Sequence, residues 1–422
     1  MKKERFRELW MVMICTIWAA VLALSGMPGV LTVQASPAPE TAPKAEPARI
    51  ENIRLLATGD LLMHNTVINS GQTADGYDYS RFFAPLESMV AEADYASICM
   101  ETPLAGAKHG GYTGYPMFNA PDALAVSLRA AGFDLVITAH NHCLDRGVAG
   151  LQRTLEVLRQ QGLDTLGTNL TPEEQNSFLI KDLKGIKVGY IGYTYGTNGI
   201  AWPQDQAYLI NVLDPDRILA DISRLRPQVD VLVLILHWGQ EYQHLPTKEQ
   251  QQQAADFLLA GADIIIGSHP HVVQPAREVT LKGKKKFVIF SMGNSLSHQR
   301  GLERNSGVVV SLELEKNFST GLTVLRQVEL TPTFSHSYSE KGRQRFQDVP
   351  IEAAQAAVKS GNYTGLGTAD LPVLQQSLQE TRGYLQGELP YFEAACAQAN
   401  KEYFAKLSRV LPAWMLSRWA DI

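Results

Sequence analysis

Residues 264–271 read Ile-Ile-Ile-Gly-Ser-His-Pro-His. Three β-branched residues in a row make a short apolar run suited to a strand covered on both faces. Two imidazoles follow at a spacing of two, which in extended backbone puts them on the same side, and Pro270 stiffens the link between them. In α/β sheets, ligands bind outside the carboxyl ends of the strands, so His269 and His271 stand where such a sheet keeps its chemistry. The same construction recurs along the chain. RLLATGD (54–60) ends on Asp60, ASICME (96–101) on Glu101, LVITAHNH (135–142) on Asn141 and His142, VLVLILH (231–237) on His237, and VIFSMGN (288–294) on Asn294. Six apolar runs closing on polar residues predict one crevice into which all of them converge.

Between these runs lie helical patterns at Pro121–Ala131, Gly147–Gln161, Asp214–Leu225 and Thr247–Ala260. Asp214-Pro215 supplies an N-cap followed by proline at the first helical position. Strands are predicted at Arg54–Thr58, Ala96–Met100, Leu135–Thr138, Val188–Gly192, Val231–Leu236, Ile264–Ile266 and Phe287–Ser291, then at Val308–Leu314 and Leu322–Leu330. Strands alternating with helices define an α/β fold. Past Pro332 the pattern changes. Leu371, Leu374, Leu378 and Leu385 share one helical face, as do Phe392, Cys396, Ala399, Tyr403, Leu407 and Val410. Residues 345–422 are therefore expected to form a helical C-terminal region whose stripes are packing surfaces, behind a main domain at 51–333.

The N-terminus has a different character. Residues 2–8 (KKERFRE) carry four basic and two acidic side chains, an uncharged apolar run follows from Leu9 to Leu24, and Val33-Gln34-Ala35 precedes Ser36. Basic, apolar and small, in that order, is the plan of a secretory signal at 1–35, either cleaved or kept as a membrane anchor. Residues 36–50 (SPAPETAPKAEPARI) are rich in Pro and Ala and cannot bury a core, so they read as an extended linker. An export segment followed by a spacer predicts a head on the extracellular face of the cytoplasmic membrane, anchored or secreted. Of four cysteines, Cys15 falls within the export segment, and no C-x-x-C pair occurs. Cys99, Cys143 and Cys396 are expected as free or buried thiols rather than a disulfide framework. With 38 Lys+Arg against 43 Asp+Glu, the balance gives no reason to expect nucleic-acid binding.

Ten histidines test whether the convergence is chance. Five of them (His140, His142, His237, His269 and His271) lie at strand ends, and His64 is four residues past another. With Asp60, Glu101 and Asn141 they form a mixed imidazole, carboxylate and amide set suited to divalent Mn, Fe or Zn, in which carboxylates can bridge two ions. His142, beside the amide of Asn141, is a candidate to protonate a leaving oxygen. Asp145 is a candidate to orient a neighbouring ring, and Asn294 to support the site from one shell out. His64 reads equally as a ligand or as a loop residue facing solvent. His109, His244, His298 and His336 read as surface residues. Lys282, Lys284, Lys285 and Lys286 read either as a solvated hairpin or as an attractor for an anionic polymer.

GDLLMH (59–64), METPL (100–104), AHNHCLDRG (139–147), HWGQEY (237–242), GADIIIGSHPHVVQP (261–275) and FSMGNS (290–295) together resemble the CapA family of capsule synthesis, associated with poly-γ-glutamate. That resemblance spans residues 53–300 and implies a metallophosphatase-like α/β sandwich with the C-terminal helices appended. It implies two divalent ions, with Glu101 bridging. Asn141, His237 and His269 would serve one ion, Asp60 and His271 the other, and His142 would be catalytic. The chain departs from the phosphatase pattern in three places: His64 follows Asp60 by four residues, the bridging carboxylate is Glu101, and residues 139–142 read Ala-His-Asn-His. Two functions follow as expectations. One is a metal-dependent hydrolase or transferase, and the other a non-catalytic accessory of a complex that makes or exports an acidic polymer. The expected partners are the membrane, capsule-synthesis subunits and a polymer such as poly-γ-glutamate.

Overall fold

Strands β1 (Ile50–Leu61), β2 (Tyr95–Cys99), β3 (Leu135–Ile137) and β4 (Asp164–Leu166) run parallel and begin the first sheet of the computed structural model, which describes residues 49–361, 363 and 365–407. On its far side β1 pairs antiparallel with β12 (Ser306–Asn317), which continues into β13 (Leu322–Glu340) and β14 (Arg343–Pro350). The order is β14-β13-β12-β1-β2-β3-β4, with the short β11 (Asn294–Leu296) paired to the end of β1. The second sheet has the order β5-β6-β7-β8-β10-β9. Its β6 (Ile186–Thr194), β7 (Val231–His237), β8 (Ile264–Ser268) and β10 (Lys284–Ile289) are parallel, and β5 (Leu179–Leu183) and β9 (Ala276–Leu281) are its antiparallel edges.

Strand periodicity explains the layering. Ile53, Leu55 and Ala57 of β1 alternate onto the inner face and pack with Val188, Val233, Ile235, Ile264 and Phe287 of the second sheet. The intervening Leu56, with Ala96 and Ile98, faces outward against helix α1 (Ala123–Ala130). Leu232, Leu234 and Leu236 do the same on the second sheet, covered by α2 (Pro215–Leu225) and α3 (Lys248–Ala260). Both helices start as their sequences require. The Asp214 side chain accepts from the Asp216 N–H at 3.0 Å, and Thr247 and Gln250 form a reciprocal capping box. The result is the expected α/β sandwich, two sheets face to face with helices outside.

Three expectations are corrected at the boundaries. Ile50 already belongs to β1 and not to a linker. The sheet does not end near residue 333 but runs on through β14, so the helical region begins at Ile351 and not at 345. It comprises α4 (Ile351–Lys359), α5 (Leu371–Leu385) and α6 (Pro390–Leu407). Leu374 and Leu378 pack on Phe334 and Val349, Leu385 joins the inter-sheet core, and Phe392 and Cys396 join the outer core of the second sheet. Residues 1–48 and Val410 lie outside the described residues. Among the described residues no helix is long and apolar enough to cross a membrane. Cys99, Cys143 and Cys396 are buried free thiols.

Candidate metal centre

The parallel strands of both sheets end at one edge, and the backbone there is packed too tightly for side chains at two glycines. A Cβ on Gly59 would sit 2.0 Å from the Gly293 carbonyl oxygen, and one on Gly267 would sit 1.9 Å from that of Phe290. Glycine before Asp60 lets β11 close on β1, where Asp60 N–H donates to Gly293 O at 3.0 Å. Gly267 lets the end of β8 close on Phe290 just before the two histidines. His269 (φ 99°) and His271 (φ 59°) then take left-handed backbone, strained for non-glycine residues and typical of functional turns.

Asp60, Glu101, Asn141 and His237 are fully buried, and His269 and His271 nearly so. Asp60 Oδ2 accepts the backbone N–H of His269 at 3.0 Å, while Asp60 Oδ1, both Glu101 carboxylate oxygens and His269 Nδ1 are buried without a hydrogen-bond partner. Donor atoms of Glu101, His237 and His269 lie within 4.8 Å of one another, and so do those of Asp60, Glu101 and His271. Glu101 is common to both triads. His237 Nε2 and His271 Nε2 each lie 3.8 Å from Glu101 Oε1. A third group joins Asp60 and His237 to Cys99, whose thiol is pushed up by burial first and by Asp60 next.

The surrounding groups fix the rings. His271 Nδ1 donates to Asn294 Oδ1 at 3.1 Å, which leaves Nε2 as a lone pair on the Glu101 side. The Asn294 amide is itself held, its Nδ2 donating to Arg304 O at 2.7 Å and Gln299 Oε1 at 3.0 Å. His237 Nε2 is 2.8 Å from Asn141 Oδ1, and its Nδ1 is 2.9 Å from the Ser268 hydroxyl. A carbonyl only accepts, so this pair has the proton on Nε2. Ser268, able to donate or accept, lets the ring move that proton to Nδ1 when Nε2 must present a lone pair. Burial, then His269, lowers the His237 pKa. Burial, then His271, lowers that of His269 to about 3, so both stay neutral as ligation demands. Glu101 is shifted upward by burial first and by Asp60 second. Two carboxyls this close and this buried are stable as anions only beside a positive charge.

His142 stands outside these triads. Its Nδ1 donates to Asp145 Oδ2 at 2.8 Å, and its ring meets Phe118 edge-on with centroids 4.7 Å apart. Asp145 also accepts the Phe118 N–H at 2.6 Å, so it anchors ring and loop together. His64 joins neither triad. Its Nδ1 accepts from His298 N–H at 3.3 Å, and burial, then His271, lowers its pKa to about 4. His140 is buried, its ring centroid 6.1 Å from that of His237. Of the residues expected at the surface, His336 is instead buried, hydrogen-bonded through Nε2 to Gly365 O at 2.8 Å.

Sequence reading overlooked the loop after β6. Tyr195 covers His269, ring centroids 4.4 Å apart. Asn198 Oδ1 accepts from Asn141 Nδ2 and from the Tyr195 hydroxyl, both at 3.1 Å, and Asn198 Nδ2 lies 3.4 Å from His142 Nε2. The available signal was positional: YTYGTN (193–198) closes a strand just as the recognised motifs do, without their histidines or carboxylates. Ser268 was equally visible, directly ahead of His269.

The family model for "Bacterial capsule synthesis protein PGA_cap" matches residues 54–299. The "Capsule biosynthesis protein CapA" of Bacillus anthracis is 26% identical over 284 residues, 65% of this chain and 67% of that one. The "PGA biosynthesis protein CapA" of Bacillus subtilis (strain 168) is 27% identical over 283 residues, 66% of this chain and 70% of that one. Among solved structures, a 5'-nucleotidase precursor from Thermus thermophilus aligns with a TM-score of 0.43 at 14% identity. That alignment covers 79% of this chain, which spans 59% of the nucleotidase.

Proposed function

The chain belongs to the bacterial capsule synthesis protein family PGA_cap, and on that footing we propose that it is a metal-dependent hydrolase or transferase of capsule polymer synthesis. The observation that carries this reading is the set of buried, partnerless donor atoms on Asp60, Glu101 and His269. Such atoms are costly unless something positive binds them. Their chemistry fits divalent Mn, Fe or Zn; Glu101, His237, His269 and Asn141 would hold one ion, and Asp60, His271 and Glu101 would hold a second. Bound there, divalent cations supply Lewis acidity and lower the pKa of a coordinated water.

The remaining roles fall to the protein. Asp145 accepts from His142 Nδ1 and would stabilise the imidazolium, so that Nε2, once protonated, can give its proton to a leaving oxygen. Asn198 steadies the Asn141 amide with its Oδ1 turned toward His237. Tyr195 and Tyr242 close over His269 and His271 and restrict water. The substrate class is a phosphoester or the amide link of an acidic polymer, poly-γ-glutamate among them. The reading places the protein on the extracellular face of the cytoplasmic membrane, tethered or released through residues 1–50, alongside other capsule-synthesis subunits.

The test is elemental analysis of protein purified without chelator and reloaded with Mn, Fe or Zn, followed by assays on phosphoesters and on γ-linked glutamate polymer. Retained metal with metal-dependent turnover is expected. No retained metal refutes the site. Metal without turnover on either class leaves the accessory role instead.

A further inference from the structure

The lysine run at 282–286 does not form an open anion site. Lys286 is buried, its ammonium donating to Ala262 O and lying 3.6 Å from Asp263. Lys285 pairs with Glu278 at 3.0 Å, and Lys282 donates to Leu259 O at 3.3 Å. A concentration of positive charge lies elsewhere, at the tip of the β13–β14 hairpin. Arg343 and Arg345 are two apart on β14 and so project from the same face. With Arg81, Phe82 and Phe346 they line a cavity of about 230 Å³.

The cavity is short of acid. Glu340 takes both oxygens to Arg81 Nη1, at 3.0 and 2.9 Å, and is 3.4 Å from Arg345 Nε. One carboxylate therefore serves two guanidinium groups. Arg345 Nε is buried without a hydrogen bond. Arg343 spends one N–H on Gln72 O at 3.1 Å and has no carboxylate partner among the described residues. Asp78, also in the lining, accepts the Ser80 N–H at 2.9 Å and adds a second carboxylate, so that with Glu340 two carboxylates face three arginines. Guanidinium forks with spare N–H groups in a concave setting match planar carboxylates bidentately.

Position gives the pocket a purpose. The helix Asn65–Ser70 begins directly after His64 and ends on Ser70, whose carbonyl accepts from Arg345. Six helical residues span roughly 9 Å. His64 in turn packs against Phe118, ring centroids 5.5 Å apart, and Phe118 against His142. The cavity thus lies one short helix away from His64, whose ring contact with Phe118 leads on to His142.

We propose that the Arg81–Arg343–Arg345 cavity is a carboxylate subsite that holds a linear polyacid while another part of it lies at the metal centre. The inference rests on the reading of an acidic polymer as substrate. The probe is a γ-linked glutamate decamer, with inorganic phosphate in parallel, titrated into the full chain and its Arg343→Gln/Arg345→Gln variant. A Lys284→Gln/Lys285→Gln variant matches the change in net charge. Decamer binding should weaken at least tenfold in the arginine variant and less than about twofold in the lysine variant, as local forks rather than bulk charge require. Metal-dependent turnover of a small phosphoester should stay at the wild-type level and so report an intact fold. Equal losses in both variants, no loss in the arginine variant, no decamer binding by wild type, or phosphate binding as tight as the decamer's each overturn the proposal. Arginine-dependent decamer binding without any turnover removes the catalytic reading and leaves this site standing. Turnover without decamer binding does the reverse.

Discussion

Glu101→Gln discriminates sharply, because the structure gives it opposite effects with and without metal. Glu101 is the residue common to the two donor triads, whereas His269 belongs to one. A ligand that binds only the folded state at a hundredfold excess over its Kd adds about 2.7 kcal/mol, so two ions add roughly 5 kcal/mol. For the roughly 360 described residues, an unfolding entropy of about 2.1 cal/mol/K per residue makes 1 kcal/mol worth roughly 1.3 °C. Wild type should then gain about 7 °C in Tm on metal loading, His269→Ala about half of that, and Glu101→Gln close to nothing. Without metal the sign reverses. Burial, and then Asp60, hold the Glu101 carboxyl above its ordinary value. A carboxyl raised in the folded state contributes fully below the unfolded pKa, and its contribution falls as pH climbs from there toward the folded pKa. Metal-free wild type should therefore lose stability over that climb, and Glu101→Gln, which has no charge to bury, should lose less and melt higher at neutral pH. Scanning calorimetry of both proteins with chelator and with added Mn or Zn, at several pH values, measures all of this. If Glu101→Gln keeps a metal shift equal to that of His269→Ala, Glu101 is not shared and the two-triad arrangement is wrong.

Two further outcomes are expected. His142→Ala should keep near-wild-type metal content while losing about 10²–10⁴-fold in turnover on substrates with poor leaving groups and much less on good ones, whereas Asn141→Ala should lose metal and turnover together. Metal content and a leaving-group series check this, and equal metal loss in both variants would make His142 a ligand. Fusion of residues 1–50 to a reporter active only outside the cytoplasm should give signal, and activity solely from a cytoplasmic reporter would end the export reading.

The site's main frame was legible because each contributing strand announces itself twice, by an apolar run and by the polar residue that stops it. Asp60, Glu101, Asn141, His237, His269 and His271 all sit at such stops, and the two-sheet sandwich carries them to one edge. What failed to show was structure built from polar residues. β14 reads RQRFQDVP, with apolar side chains only at Phe346, Val349 and Pro350, yet Gln347 and Asp348 are buried in the sheet. Its membership is set by backbone pairing with β13, which leaves no hydrophobic period to find. The loop at 195–198 escaped for a related reason. Tyr195 covers His269 and Asn198 holds the Asn141 amide, and tyrosine and asparagine in a turn look like turn residues until the fold puts His269 and Asn141 beneath them.

The choice between catalyst and scaffold turns on what the burial costs. A buried polar atom left without a partner costs about 1–3 kcal/mol, and a domain's whole stability is only about 5–15 kcal/mol. Asp60 Oδ1, both Glu101 oxygens and His269 Nδ1 are four such atoms at a single point. A fold that needed only to hold its shape would be more stable with apolar side chains there, since replacing a buried charged cluster by packed hydrophobic groups is often stabilising. Keeping the donors makes sense if a cation offsets their cost. A cation alone would still suit a structural site, and a structural site closes its coordination with protein ligands and stops. This one does not stop. Beside it the buried His142–Asp145 pair is aligned at 2.8 Å without joining either triad, and Asn198 reaches both His142 and the amide of Asn141. On the proposed reading, an oriented imidazole beside the donor cluster and outside both triads is placed for proton transfer.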